Sequence, residues 1–273
     1  MRKRHAFNVR LSIEADRSAR QTLMLRSFYR QFRNSKVPDS YYAYVRGEIS
    51  IEELKNRYPR QFRHANREAW LARLGEENET KVHGRIDKAL NGSVHWILLG
   101  GPPCQAYSMV GRSRMKPGLG ADFDLDHRHY LYKEYLRILA DHKPTVFVFE
   151  NVKGLLSSKI GGRPIFSEIL SDLQNPTRIT ADSTSLDRKP QYRLYSLNGK
   201  SLDAEEESDP SEFIVRSEEH GVPQRRHRLI IIGVLQKYAE EAEGMISLED
   251  QPEVSIEEVI GDLPRLRSGV SRP

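Results

Sequence analysis

Short apolar runs alternate along this chain with stretches of helical periodicity, and that alternation restricts it to an α/β architecture with a mostly parallel sheet. Val94–Leu99 and Thr145–Phe149 read as buried strands, and Arg228–Leu235 is the strongest strand in the sequence. Phe7–Ile13 alternates apolar and polar residues and predicts another strand, with shorter ones at Tyr192–Leu197 and Phe213–Ser217. Helices are predicted over Arg17–Phe32, Ile49–Tyr58, Arg67–Leu74, His129–Asp141, Phe166–Leu173, Lys237–Glu243 and Ile256–Ile260. Lys116–Asp126, rich in Gly and Asp, reads as a mobile loop, and acidic Asp203–Asp209 as a solvated insertion.

At 273 residues the chain has room for one large domain or two small ones. Its apolar runs fall far short of the roughly 18 residues that a membrane span needs. A single cysteine, Cys104, excludes an internal disulfide framework and any multi-cysteine zinc site. Met1-Arg2-Lys3-Arg4 is basic, but no apolar core follows, so no signal peptide is expected and a cytoplasmic location is the default. The net charge is +5, and the excess is uneven: Met1–Arg33 holds nine Lys and Arg against Glu14 and Asp16. That is a mild pointer to a polyanionic partner.

The segment richest in chemistry is Gly100-Gly101-Pro102-Pro103-Cys104-Gln105-Ala106-Tyr107-Ser108, just past the carboxyl end of a strand. Open α/β sheets place their active sites at that edge. A lone cysteine is most often a small buried hydrophobe. Gly-Gly-Pro-Pro buries a residue poorly, however, and two prolines stiffen the backbone that presents the thiol.

Val146-Phe147-Val148-Phe149-Glu150 is a second apolar strand ending in a polar residue, so Glu150 belongs on the same edge as Cys104. It reads either as a solvated strand-end carboxylate or as a general acid. Gln224-Arg225-Arg226-His227-Arg228 precedes the strand Leu229–Gly233, and reads either as a solvated or phosphate-binding loop or as part of the site. Alternation places Arg226 and Arg228 on one face if the strand has begun there. Arginines at the start of a strand reach the carboxyl ends of the others only if that strand is antiparallel. Leu229–Gly233 is therefore expected to run against Val94–Leu99 and Thr145–Phe149.

Taken together, Gly-Pro-Pro-Cys-Gln-x-x-Ser, Glu-Asn-Val and Gln-x-Arg-x-Arg resemble the nucleophile, acid and arginine motifs of the cytosine-C5 DNA methyltransferases, in that family's order. Ser12-Ile13-Glu14-Ala15-Asp16, Asp126-His127-Arg128 and Ile260-Gly261-Asp262-Leu263-Pro264 resemble further segments of the family. The resemblance implies a Rossmann-like S-adenosylmethionine-dependent methyltransferase fold with a mixed sheet. It implies transfer of a methyl group from S-adenosylmethionine to C5 of a cytosine flipped out of DNA, as in restriction-modification systems. Cys104 would add to C6, Glu150 would protonate or hydrogen-bond N3, and Arg226 and Arg228 would steady the O2 side and the thiol loop. Glu14 and Pro102 would contact the cofactor. Pro103, Gln105, Ser108, Asn151 and Gln224 would contact the substrate.

Departures from the family pattern set further expectations. No strand with a Gly-rich cofactor loop precedes Phe7–Ile13, and Gly118-Leu119-Gly120 follows the nucleophile instead. Gly84-Arg85-Ile86 carries Arg85 where the family has an Asp on the adenine, and Gln236–Pro273 is short for a target-recognition region. Residues 1–273 are thus expected to form a partial catalytic domain without its first strand and without a recognition domain. A second polypeptide supplying the missing motifs, a non-catalytic remnant and an RNA cytosine-C5 methyltransferase are the alternatives.

Overall fold

The computed structural model describes residues 7–32, 36–102, 127–160, 163–178, 192–197, 201–202 and 209–263. The chain divides into two compact units, Met1–Ser93 and Val94–Pro273.

In the first unit, β1 (Ser12–Glu14) leads into α1 (Arg17–Arg30), α2 (Asp39–Val45), α3 (Ile51–Arg57) and α4 (Pro59–Glu68) before β2 (Ala69–Leu71) and α5 (Glu79–Leu90). β1 and β2 pair in parallel, Ser12 opposite Ala69 and Glu14 opposite Leu71. Asp16 starts α1 by accepting a hydrogen bond from the Ala19 amide at 2.7 Å, an N-cap that satisfies one of the donors orphaned at a helix start. The helices bury an aromatic cluster: Phe28 stacks on Phe62 at 4.6 Å between centroids and meets Phe32 and Tyr58 edge-on. Beneath it, the buried Glu68 carboxylate accepts from Ser27 Oγ at 2.7 Å and pairs with Arg30.

Two expectations fail in this unit. Phe7–Ile13 is a strand only from Ser12, and the predicted helix Arg67–Leu74 is instead the end of α4 followed by β2. The apolar side chains of Trp70, Leu71 and Leu74 fit one helical turn as well as a three-residue strand. A run that short has no decisive period.

In the second unit, β3 (Ile97–Gly100), α6 (His127–His142) and β4 (Val146–Val152) form a parallel βαβ unit. The short pair β5 (Lys159–Ile160) and β6 (Arg163–Pro164), α7 (Phe166–Gln174), β7 (Tyr192–Tyr195), β8 (Ser201–Leu202) and β9 (Ile214–Arg216) follow. β10 (His227–Leu235), α8 (Ala239–Ala242) and α9 (Ile256–Ile260) complete the described elements. The main sheet has the order β3-β4-β10-β7-β8, with β9 also paired to β10. β10 lies antiparallel to β4 over Arg228–Val234, so the sheet is mixed and the expected reversal at residues 229–233 is present. Phe147, Phe149, Leu229 and Ile231 pack against Leu136, Leu139, Ile169 and Leu173 to form the core. Where Gly233 passes Phe147, any side chain would overlap the ring.

β3 differs from its expected burial. It is an edge strand among the described residues, with Leu99 72% exposed and Val94 and Ile97 also exposed. No helix of the described residues is long and apolar enough to cross a membrane.

Candidate active site

The carboxyl ends of the parallel pair β3 and β4 bring Gly100-Gly101-Pro102 beside Glu150-Asn151. Both glycines are needed for that approach. A Cβ on Gly100 would overlap the buried Tyr135 ring, whose hydroxyl donates to the Val148 carbonyl at 3.1 Å. A Cβ on Gly101 would stand 2.9 Å from Glu150 Oε2 and 3.2 Å from the Glu150 carbonyl oxygen. The Glu150 side chain therefore lies directly over the stem of the segment that carries Cys104. Cys104 itself, with Pro103, Gln105, Ser108 and the Lys116–Asp126 loop, lies outside the described residues, as do most of Asp203–Asp209 and Pro264.

Asn151 is 94% buried, and its amide is committed to backbone: Nδ2 donates to the Pro102 carbonyl at 3.1 Å, and Oδ1 accepts from the Val152 amide at 2.9 Å. These two bonds tie β4 to the stem of the thiol segment. Pro102 is held through the first of them.

β10 approaches from the opposite direction. Because it is antiparallel, its first residues meet the last residues of β4: Arg228 lies opposite Val152 and Ile230 opposite Glu150. Opposed residues share a face, so Arg228 and Glu150 are diagonal neighbours on one side of the sheet. Arg228 Nε stands 3.0 Å from Glu150 Oε1, and Arg228 Nη1 donates to the His227 carbonyl at 2.8 Å. The pair is partly open, with the side chains 25% and 44% exposed. In that setting an ion pair contributes about 1 kcal/mol or less to stability. Its geometry matters more than its energy: a carboxylate and a guanidinium are presented side by side at the strand ends.

Arg226 is placed differently from Arg228. It precedes β10 and is exposed, and its carbonyl accepts from the Ser217 amide and from Ser217 Oγ at 2.7 Å. Its guanidinium has no partner among the described residues. Gln224 is exposed in the preceding turn. Behind this turn, His227 Nε2 lies 2.7 Å from Glu218 Oε1, and that bond, first among the causes, holds the Glu218 carboxyl below its usual range.

In the first unit, Glu14 ends β1 with a half-exposed side chain that accepts from the Asp16 amide at 2.9 Å. One carboxylate oxygen is thereby oriented and the other is left for a diol or similar donor. Since β2 is parallel to β1, the segment after it, from Ala72 through Gly75, leaves from the same edge, and the Ala72 amide bonds the Glu14 carbonyl. Gly75 turns there with φ +84°. This edge was not legible as a strand end. Gly84-Arg85-Ile86 lies inside α5, where Arg85 covers the Trp70 ring at 4.9 Å and donates to the Arg67 carbonyl.

Residues 64–176 match the family model described as C-5 cytosine-specific DNA methylase. The chain is 30% identical over 97% of its length to the type II methyltransferase M.Bpa9945I of Bacillus paralicheniformis. Over 63% of its length it is 28% identical to the type II methyltransferase M.XorII of Xanthomonas oryzae pv. oryzae. Half of it is 35% identical to the DNA (cytosine-5-)-methyltransferase M.ApeKI of Aeropyrum pernix. These alignments cover 57%, 30% and 26% of the respective relatives, so the chain spans little more than half of even the first.

Proposed function

Since this chain belongs to the C-5 cytosine-specific DNA methylase family, we propose that it transfers a methyl group to C5 of cytosine in DNA, as a type II restriction-modification enzyme. The observation that carries the reading is the Arg228–Glu150 pair, set over Gly101 at the stem of the Cys104 segment.

S-adenosylmethionine, when bound, supplies the electrophilic methyl group. Glu14 fits the role of a holder for its ribose, because it is a strand-end carboxylate with one oxygen oriented by Asp16 and the other open. The segment after β2 offers backbone groups at the same edge.

The remaining work falls to the second unit. C5 and C6 of a stacked cytosine are out of reach, so the base must be extruded. The Cys104 thiolate forms a bond to C6, and Glu150 delivers a proton or hydrogen bond to N3. Electron density displaced from the C5–C6 bond then rests on the N3 side of the ring, which leaves C5 nucleophilic. Arg228, beside Glu150, donates to the neighbouring O2. Once C5 carries the methyl group, its proton is lost to solvent water, the C5–C6 double bond re-forms as the thiolate leaves C6, and the proton on N3 returns to Glu150. Arginines near the thiol favour its thiolate form, which is the reactive one. Asn151 acts as a positioning residue through Pro102. Gln224 and Arg226, exposed ahead of β10, are assigned to DNA beside the base, as are Pro103, Gln105 and Ser108 around the nucleophile.

The test is transfer of labelled methyl from S-adenosylmethionine to mixed-sequence DNA, with tRNA in parallel and Cys104→Ala as control. Incorporation into DNA that disappears in the variant is the expected result. Incorporation into tRNA alone would replace the substrate, and none from folded protein would overturn autonomous activity.

A second polypeptide is favoured by one observation: among the described residues β3 is an edge strand with Ile97 and Leu99 exposed, and a further strand could pair with that edge. On that reading, activity appears only when the chain is mixed with the partner.

A further inference from the structure

Helix α4 carries a basic row that the catalytic reading does not use. Arg60, Arg63, His64 and Arg67 fall at i, i+3, i+4 and i+7, so they share one face, and all four are exposed. The opposite face is anchored: Phe62 stacks on Phe28, Ala65 is buried, and buried Glu68 is engaged by Ser27 and Arg30. The helix cannot rotate without breaking the aromatic core, so the row is held outward.

Exposed arginines on a helix are often neutralised by carboxylates at i±4. Here none of the four has a carboxylate partner among the described residues. The nearby acid Glu53 pairs with Arg57, Glu76 with Arg73 and Glu79 with His83. Arg67 Nε reaches only the Arg63 carbonyl, and Arg85 of α5 donates to the Arg67 carbonyl, which extends the row by one more guanidinium.

We propose that this face of α4 is a second DNA contact that binds the phosphate backbone of duplex DNA without reading sequence. From Arg60 to Arg67 the helix rises about 10 Å. The three arginine side chains extend beyond the helix at both ends of that row, so it can give about one phosphate contact per arginine, about three in all. Single-stranded nucleic acid would require exposed aromatic platforms for its bases. The row has none: Phe62 is buried, and the buried Trp70 is covered by Lys81 and Arg85. The choice of DNA over an RNA duplex rests on the methyl-transfer reading, whereas the row itself contains none of the residues assigned to that chemistry.

The experiment is binding of the full chain to a mixed-sequence DNA duplex by fluorescence anisotropy between 50 and 200 mM salt, with a duplex RNA of the same length alongside. Each phosphate contact contributes about 0.9 to the slope of log K against log salt. In Arg60→Gln/Arg63→Gln/Arg67→Gln the slope is expected to fall by about 2 to 3, with the weakening equal for unrelated sequences. The Lys triple variant keeps the slope, and the single variant Arg63→Glu weakens binding about tenfold at low salt even if the triple variant is poorly folded. An unchanged slope, an effect confined to one sequence, or tighter binding of the RNA duplex would each overturn the proposal. Methyl transfer measured in the same variants at low salt keeps a failure of this surface distinct from a failure of the catalytic site.

Discussion

Arg228 Nε stands 3.0 Å from Glu150 Oε1 because β10 runs antiparallel to β4 and places Arg228 one pleat beyond Glu150 on the same face. A parallel β10 would carry the arginine to the far end of the sheet. The pair is too exposed to be a stability device, so its value lies in presenting the Glu150 carboxyl and the Arg228 guanidinium side by side.

Glu150→Gln keeps the shape of the side chain but removes the acid. Methyl transfer is expected to fall by about 10²–10⁴-fold, the range for loss of a general acid, with little change in DNA affinity. Arg228→Lys is expected to recover only part of the Arg228→Ala loss, since an ammonium lacks the planar fork. Single-turnover methylation checks both, and an active Glu150→Gln enzyme would remove Glu150 from the chemistry.

Gly101→Ala places a methyl group 2.9 Å from Glu150 Oε2 and pushes the carboxylate aside. About a 10²-fold loss in turnover is expected, as for an ångström-scale misplacement of a catalytic group. Gly100→Ala instead drives into the buried Tyr135 ring and is expected to cost about 1–3 kcal/mol of stability. Denaturant midpoints and turnover measured on both variants separate the two effects.

Asn151→Ala removes the bond to the Pro102 carbonyl and the acceptor for the Val152 amide. Buried groups left unpaired cost about 1–3 kcal/mol, and the stem of the thiol segment loses its tie. We expect a lower denaturant midpoint together with a fall in turnover of about tenfold or more at unchanged DNA affinity. A rise in KM for DNA with turnover intact would instead make Asn151 a substrate contact.

Tyr135 and Tyr192 hold their phenolic protons more tightly than free tyrosine, Tyr135 through burial and then the nearby Tyr192, and Tyr192 through burial. Unfolded phenols titrate near pH 10. The stability these groups contribute is therefore complete below about pH 10 and is lost as the pH rises further. Urea midpoints measured from pH 8 to 11 should fall more steeply in the wild type than in Tyr135→Phe/Tyr192→Phe. Parallel curves would show that the two phenols do not carry the alkaline loss.

The site was legible in the sequence wherever an apolar run ended abruptly in Gly, Pro or a charge. That pattern located Gly100–Pro102 and Glu150 at strand ends, and the need for Arg228 to reach them set the direction of β10. Three features depended on tertiary structure. Strand pairing set Arg228 beside Glu150, because β10 begins at His227 and runs antiparallel to β4 with Ile230 opposite Glu150. Burial set the bonds of Asn151, since an enclosed amide must satisfy its hydrogen-bonding groups locally, here at Pro102 and Val152. β2, at three residues, was too short to show a period, and only its pairing with β1 distinguished it from helix. Residue types therefore determined the chemistry carried at the strand ends, whereas register, strand direction and enclosure are products of long-range pairing, and these decided which of those side chains meet.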